Sequence, residues 1–260
     1  MKELLITLLF TVCSAAALAE DRDIKKIFDD NGIEGTIVIR SLRSEQSFIH
    51  NEPRSNLRFT AASTFKIPNT LISLEEGVIA GKDSVLKWDG RNHEYASWNV
   101  DQTLESAFKV SCVWCFQELA HRIGAEKYNN YIKKLPYGRL SGPYGVTTFW
   151  LDGSLKISAV EQIDFLKAIY LRSLPFSDPT YETLREIMVV EETPNFTLRA
   201  KTGWAEKAHP QVGWYVGYVE TKYDVWFFAS NIKINNSSEL ALRQKITRKA
   251  LQSKGLIEDA

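Results

Sequence analysis

The sequence has few cysteines and no long apolar run beyond its first nineteen residues, and each shortage excludes a class of protein. Of the three cysteines, Cys13 lies in the N-terminal segment, which leaves only Cys112 and Cys115. There is no second pair with which to complete a four-ligand zinc site. No later stretch approaches the roughly 18 to 20 apolar residues of a membrane-spanning helix. We therefore expect a soluble protein without a zinc site.

An excess of charge of one sign is also missing, since 32 basic residues face 32 acidic ones. No basic stripe indicates a nucleic-acid partner, and no polybasic segment indicates a membrane surface. The chain contains no internal repeat, no low-complexity tract and no linker rich in Pro, Gly and Ser. These absences exclude nucleic-acid and membrane partners and favour one compact domain.

The N-terminal segment has the pattern of a cleaved secretory signal. Lys2 precedes an apolar run over residues 4–17, and Ala17-Leu18-Ala19 stands before an acidic residue. We expect residues 1–19 to be removed on export and residues 20–260 to form a single domain. Export would place Cys112 and Cys115 in an oxidising compartment. Their apolar neighbours favour small residues in a buried helix, with a local disulfide as the alternative.

Strand-like patterns lie at both ends of the chain, and helical patterns fill the middle. The strand-like segments are 35–40, 47–51, 196–202, 213–219 and 225–232. The helical segments are 23–30, 63–76, 104–108, 113–123, 125–134, 159–171, 181–190 and 239–253, the last capped by Ser237 and Ser238. Residues 136–148 form a long loop of a functional kind. We expect an α+β fold, with an antiparallel sheet from both chain ends, flanking helices, and a mostly helical lobe over about residues 65–190.

The first chemical signal is Ser63-Thr64-Phe65-Lys66. Its spacing places a hydroxyl and an amine one helical turn apart on the same face. Because Pro68 is tolerated only in the first turn of a helix, the helix must begin near Ser63. The free N–H groups of that turn then favour a developing oxyanion. The alternative is a serine cap followed by a surface lysine.

The spacing alone is not specific. Ser-x-x-Lys occurs four times, beginning at Ser63, Ser84, Ser106 and Ser230.

A second chemical signal is Lys201-Thr202-Gly203 on a predicted strand. The lysine and the hydroxyl can bind a carboxylate, and the glycine allows a substrate backbone to approach.

Four motifs in one order carry far more information than any one of them. Ser63-x-x-Lys66 is followed by Ser111-x-Val113, by Trp150-x-x-Gly153 and by Lys201-Thr202-Gly203. This order resembles the penicilloyl-serine family of serine β-lactamases and penicillin-binding proteins. With Ser-x-Val as the second motif, the chain is most similar to the class D β-lactamases, the oxacillinases, over essentially all of residues 20–260.

The resemblance implies hydrolysis of β-lactam antibiotics through a serine acyl-enzyme. Ser63 matches the nucleophile, and Lys66 matches a lysine that the family uses as an N-carboxylated base. Ser111 matches the proton-relay serine, Trp150 matches the indole that shelters the carbamate, and Lys201 matches the cation of the strand motif. The implied cofactors are none, apart from carbon dioxide or bicarbonate on Lys66, and no metal is implied.

The resemblance also implies a set of substrate-binding residues. Val113 lines the pocket beside the base, and Thr202 and Gly203 continue the anion-binding strand. The N–H groups of Ser63 and Trp204 would form the oxyanion hole, and Arg243 would receive the substrate carboxylate. Taken singly, Trp150 has the alternative of a core indole, Ser111 of a helix cap and Arg243 of a surface cation.

One motif departs from the family pattern, because Tyr137-Gly138-Arg139 stands where Tyr-Gly-Asn is common. Arg139 cannot accept hydrogen bonds as asparagine does, which puts the loop conformation and the substrate range in doubt.

Three other functions are weighed against the β-lactamase. A penicillin-binding transpeptidase or carboxypeptidase would share acylation, and a β-lactam-sensing domain would be tethered by spanning helices. A serine hydrolase with a His/Asp triad lacks its G-x-S-x-G motif here. We expect a periplasmic enzyme, monomeric or homodimeric, that takes small-molecule substrates.

Overall fold

The computed structural model describes residues 20–44 and 46–258, so the predicted signal at residues 1–19 lies outside the described residues. The helices are α1 (Arg22–Asp30), α2 (Glu52–Ser55), α3 (Lys66–Glu75), α4 (Leu104–Lys109), α5 (Val113–Ile123), α6 (Ala125–Lys134), α7 (Ala159–Tyr170), α8 (Asp178–Ile187) and α9 (Leu242–Ser253). The strands are β1 (Gly35–Ser41), β2 (Ser47–His50), β3 (Phe59–Thr60), β4 (Val85–Leu86), β5 (Gln102–Thr103), β6 (Arg139–Leu140), β7 (Leu155–Ile157), β8 (Val189–Glu192), β9 (Phe196–Ala205), β10 (Gln211–Thr221) and β11 (Val225–Ile234). Short 3₁₀ turns cover Ala62–Phe65, Ala96–Trp98 and Ser237–Ala241. Of these helices, none is long and apolar enough to cross a membrane.

The main sheet has six antiparallel strands in the order β2-β1-β11-β10-β9-β8. The first strands of the chain pair with the last, with Ile39 opposite Phe228. This arrangement confirms the predicted α+β fold and the sheet made by both chain ends. Strands β9, β10 and β11 run longer than predicted, because each continues to pair with its neighbour beyond the predicted bounds.

Each face of the sheet is covered by helices, so successive residues of a strand enter different cores. On β1, Ile37 and Ile39 pack in the cluster that contains Phe28 of α1 and residues of α9. Val38, between them, packs in the larger cluster that contains Ile163 of α7 and the helical part of the chain. The period of two along the strand therefore separates the two layers of helices.

Helix α8 and strand β8 correct one predicted element. The sequence pattern placed a helix over 181–190, but α8 begins at Asp178 and ends at Ile187. Pro179 lies in the first helical turn, where its missing N–H costs nothing. The residues that follow form β8, which pairs with β9 at the edge of the sheet. This pairing depends on the tertiary fold.

The start of the last helix also differs from the prediction. The residues expected to cap it, Ser237 and Ser238, belong to a 3₁₀ turn capped by Asn236. The α-helix proper begins at Leu242.

Cys112 and Cys115 correct another expectation. Both side chains are fully buried, as predicted, but they form a disulfide rather than two free core residues. Their Cα atoms lie 5.5 Å apart, within the range that a disulfide spans. The bond joins the residue after Ser111 to the first turn of α5.

Candidate active site

The nucleophile turn, which we define as Ala62–Phe65, leads directly into α3. It is a 3₁₀ turn, so Ser63 lies just before the α-helix rather than in its first residue. Ala62 adopts a left-handed conformation with φ of 49°. Lys66 begins α3, and its Nζ donates a hydrogen bond to Ser63 Oγ over 3.0 Å. The predicted serine and lysine are thus in direct contact.

Lys66 is buried in an apolar environment, with 1% of its side chain exposed. Its Nζ lies 5.1 Å from the centre of the Phe116 ring. Burial disfavours the charged amine and lowers the pKa of Lys66 to about 7. Near neutral pH the amine is therefore neutral in a large fraction of molecules and can act as a base or a nucleophile.

Trp150 lies beside the nucleophile turn and is fully buried. Its ring stacks on Phe65 with centroids 5.5 Å apart, and its carbonyl accepts a hydrogen bond of 2.8 Å from the Ala62 N–H. The indole Nε1 is buried without a hydrogen-bond partner among the described residues. Because an unpaired buried donor costs about 1 to 3 kcal/mol, this N–H is suited to an added acceptor.

Ser111 reaches the site from the loop between α4 and α5, in a left-handed conformation with φ of 56°. Lys201 of β9 donates hydrogen bonds to Ser111 Oγ and, over 3.1 Å, to the Thr202 carbonyl. Burial lowers the pKa of Lys201 well below its usual value, and the positive charges of Lys66 and Arg243 lower it further. The lysine therefore links the loop serine to the strand.

Gly203 faces the nucleophile turn. A Cβ at this position would lie 3.2 Å from Thr64 Cγ2 and 3.3 Å from the Thr64 nitrogen. These contacts are tighter than ordinary Cβ packing, so the glycine allows β9 to approach the turn. The sequence had assigned this freedom to the approach of substrate instead.

The backbone of β9 also presents N–H groups on the edge away from β10. The Ala200 N–H donates to the Met188 carbonyl on that edge, over 3.0 Å. Because backbone groups alternate along a strand, the N–H groups of Thr202 and Trp204 point to the same side. The N–H of Trp204, the predicted oxyanion-hole donor, therefore points away from β10.

A cavity of about 470 Å³ opens onto Ser63. Seven of the ten predicted site residues line it, namely Ser63, Ser111, Val113, Thr202, Gly203, Trp204 and Arg243. The other three predicted residues, Lys66, Trp150 and Lys201, are buried. The prediction missed an apolar part of the wall made by Tyr95, Trp98, Leu151 and Leu240. No local signal marks these residues, because they come from three separate segments.

Arg243 projects from α9 into this cavity. Its Nη1 donates to the Gly203 carbonyl over 2.7 Å, while its Nε is buried without a partner among the described residues. Burial lowers the pKa of Arg243 to about 10, so the guanidinium remains charged at neutral pH. A charged, partly unsatisfied donor in the cavity that Ser63 also lines is suited to an anionic group.

Arg139, the departure from the family motif, lies away from this cavity. Its side chain is exposed on β6, and the residue stands opposite Lys156 on β7. Tyr137, by contrast, is buried, and its hydroxyl is hydrogen-bonded to Thr64 Oγ1 of the nucleophile turn over 2.9 Å.

The chain matches one protein family over most of its length. Residues 26–252 match the family described as penicillin binding protein transpeptidase domain. Beta-lactamase OXA-48 of Klebsiella pneumoniae is 36% identical over 99% of this chain and 100% of the relative. Beta-lactamase OXA-20 of Pseudomonas aeruginosa is 41% identical over 88% of this chain and 85% of the relative.

Solved structures give the same result. The class D β-lactamase YbXI from Nostoc is 41% identical, with a TM-score of 0.88 over 90% of this chain and 99% of that one. The class D β-lactamase FUS-1 (OXA-85) from Fusobacterium nucleatum subsp. polymorphum is 36% identical, with a TM-score of 0.89 over 92% of this chain and 100% of that one.

Proposed function

The chain belongs to the class D serine β-lactamases. On that premise we propose that Ser63 is the nucleophile that opens the β-lactam ring and that Lys66 activates Ser63. The enzyme hydrolyses β-lactam antibiotics and thereby gives resistance to them. The observation that carries the assignment to Ser63 is its hydrogen bond of 3.0 Å from the buried Lys66 amine. The other three Ser-x-x-Lys motifs of the chain have no such contact among the described hydrogen bonds.

The reaction has two halves. Ser63 Oγ forms a bond to the lactam carbonyl carbon while its proton passes toward Lys66, and the ring C–N bond breaks as the nitrogen takes up a proton. Water then attacks the resulting ester, and Ser63 regains its proton as the opened product leaves. The N–H groups of Ser63 and Trp204 stabilise the oxyanion in both halves.

The residues around Lys66 fit an N-carboxylated side chain. The neutral amine adds carbon dioxide and releases one proton to give a carbamate. The carbamate supplies an anionic oxygen base that is usable in both halves of the reaction. The buried, unpartnered Nε1 of Trp150 supports this state, because it can donate to such an anion.

The remaining site residues handle the leaving nitrogen and the substrate carboxylate. Ser111 accepts a hydrogen bond from Lys201, which suits this pair to pass a proton to the ring nitrogen. Arg243 and Thr202 line the same cavity and can bind the carboxylate, and Val113 contributes an apolar wall. The signal-like pattern of residues 1–19 supports export, and we propose the periplasm as the place of action.

The proposal is tested by mixing the protein with a chromogenic cephalosporin and, separately, with a slowly hydrolysed β-lactam. Sustained turnover is expected, and mass spectrometry should find one ligand mass on Ser63. A single stoichiometric burst would indicate a transpeptidase or a sensor instead. Ser63→Ala should abolish both adduct and turnover. The serines of the other Ser-x-x-Lys motifs are internal controls, and an adduct on Ser84, Ser106 or Ser230 would overturn the assignment.

A further inference from the structure

A buried group of hydrogen bonds lies beneath the nucleophile turn. Thr64 Oγ1 is 2.6 Å from the Ala61 carbonyl, 2.9 Å from Tyr137 Oη and 2.9 Å from Gln162 Nε2. A hydroxyl has one proton and two lone pairs. Since the proton must go to the carbonyl, Thr64 accepts from both Tyr137 and Gln162. Its hydrogen-bonding capacity is then completely used.

The chain brings Tyr137 to this point through a turn that only glycine permits. Gly138 has φ of 60°, and a Cβ there would lie 2.2 Å from the Lys156 carbonyl oxygen. The Tyr137 ring packs edge-on against Phe65 at 5.6 Å and Phe165 at 4.7 Å. The ring is thus held on two sides, and its hydroxyl has a fixed direction.

Gln162 comes from the opposite side, on α7. It is a polar residue on the helix face that otherwise buries Ile163, Phe165 and Leu166. Its side chain is fully buried, and its Oε1 has no partner among the described residues. Only Nε2 can donate to a hydroxyl, so the bond to Thr64 determines how the amide is oriented.

The other side of Thr64 rests on β9. Gly203 lies so close to Thr64 that even a methyl group would crowd it, so the turn is clamped between α7 and the sheet. Ala62, two residues before Thr64, is held in a left-handed conformation that residues other than glycine seldom adopt. The bond from Thr64 to the Ala61 carbonyl spans this residue.

We propose that Tyr137 and Gln162 are positioning residues of the reaction. By holding Thr64 they hold the adjacent Ser63, both its hydroxyl and its N–H, in the geometry that attacks the lactam. Tyr137 and Gly138 of the Tyr137-Gly138-Arg139 motif thereby have a function, which rests on the proposed role of Ser63 as nucleophile. Arg139, which is exposed, has no part in it.

The test measures the rate constant of acylation by a fluorescent penicillin, which does not depend on later hydrolysis. Tyr137→Phe and Thr64→Val should each lower this constant by about tenfold, since a small misplacement of a reacting atom is costly. The double variant should be no slower than Thr64→Val, because both changes remove the same hydrogen bond. Thr64→Ser keeps Oγ1 and should stay within about twofold of the wild type.

A matched control separates positioning from simple loss of stability. Tyr181 is also buried, and its hydroxyl donates to the Leu174 carbonyl over 2.8 Å, in the helical part of the chain. Tyr181→Phe should lower the thermal midpoint as Tyr137→Phe does but leave the acylation constant unchanged. If Thr64→Val does not fold, Gln162→Met and Tyr137→Phe carry the test, each with its own loss of acylation rate.

Three results would overturn the inference. They are unchanged acylation in Tyr137→Phe and Gln162→Met, an equal loss in Tyr181→Phe, and a Thr64→Ser variant as slow as Thr64→Val. The proposed function fails separately, if wild-type protein is acylated on Ser63 but does not turn over the chromogenic cephalosporin.

Discussion

Two serine–lysine pairs meet in this site, and they are built in opposite ways. In the nucleophile pair, Ser63 and Lys66 are three residues apart, and a single helical turn brings them to 3.0 Å. In the relay pair, Ser111 and Lys201 are 90 residues apart and meet only because β9 passes the loop between α4 and α5. Each pair depends on a residue in the left-handed conformation, at Ala62 in one case and at Ser111 in the other.

The two lysines also differ in what surrounds them. Both are buried, but the pKa of Lys66 is lowered by burial alone, whereas that of Lys201 is also lowered by the charges of Lys66 and Arg243. The same arrangement of groups is thus produced once by local helix geometry and once by the packing of distant elements. We therefore expect the nucleophile pair to supply the general base. We expect the pKa of Lys201, in the relay pair, to depend on the cations around it.

Removal of the Lys66 side chain should have the largest effect. Lys66→Ala should reduce turnover by about a thousandfold, as expected for loss of a general base. Steady-state hydrolysis of a chromogenic cephalosporin measures the effect. Lys87→Ala, in an exposed Ser-x-x-Lys motif, should be unchanged and serves as the control. If Lys66→Ala kept activity within tenfold of wild type, the base would lie elsewhere.

Removing the relay hydroxyl should have a smaller effect. Ser111→Ala should lower the acylation rate constant by about a hundredfold, because proton delivery to the leaving nitrogen is lost while the nucleophile pair remains. Rapid-mixing measurements of acylation give this constant. Ser84→Ala is the matched control, since among the described residues its hydroxyl accepts a single hydrogen bond, from the Gly81 N–H. A loss as large as that of Lys66→Ala would mean that the nucleophile pair and the relay pair do not act independently.

Arg243 is one of the cations around the relay pair and the proposed binding residue for the substrate carboxylate. Arg243→Ala should raise KM by roughly 10- to 150-fold, the equivalent of about 1.5 to 3 kcal/mol for a charge-assisted bond to the substrate carboxylate. Arg248→Ala on the same helix removes an ion pair with Glu191 and should leave KM unchanged. A large fall in kcat with KM unchanged would contradict the binding role.

Trp150 tests the proposed state of Lys66. Trp150→Phe should lower activity by about tenfold at ambient carbon dioxide, and added bicarbonate should restore much of it. Wild-type enzyme in ¹³C-bicarbonate should show a carbamate resonance that Lys66→Ala lacks and Trp150→Phe shows weakly. Trp214→Phe is the control, because its indole already donates to the Thr60 carbonyl over 3.0 Å. Fully active enzyme without the resonance would leave Lys66 as a free amine.

The pH dependence should be the smallest effect near neutrality. The lowered pKa of Lys66, about 7, means that the neutral amine is lost as the pH falls through this value. The acylation rate should therefore fall below pH 7, by about tenfold for each unit, and level off above it. Stopped-flow acylation between pH 5 and 9 measures the profile, provided that the fold stays intact throughout. A flat profile below pH 7 would show that the amine is not the titrating group.

The sequence predicted most helices and the strands at both chain ends, because period and capping are local signals. The start of α7 is an example, since Ser158 and Glu161 form a reciprocal capping box. Where the prediction failed, the deciding partner was distant. Strand β8 exists because β9 pairs with it, and two valines in its sequence equally continue a helical pattern. Gln162 could have been found as a polar residue on an apolar helix face, but its partner Thr64 could not.

The sequence alone predicts the proposed nucleophile pair, because three residues of helical chain fix where Ser63 and Lys66 lie relative to each other. The family could also be predicted from the sequence, because the order of the motifs along the chain is visible without a structure. The contact of Lys201 with Ser111 and the fit of Gly203 against the nucleophile turn came from the tertiary structure alone. Those features depend on distances between segments, or on burial of side chains by them, and no period or spacing along the chain encodes either.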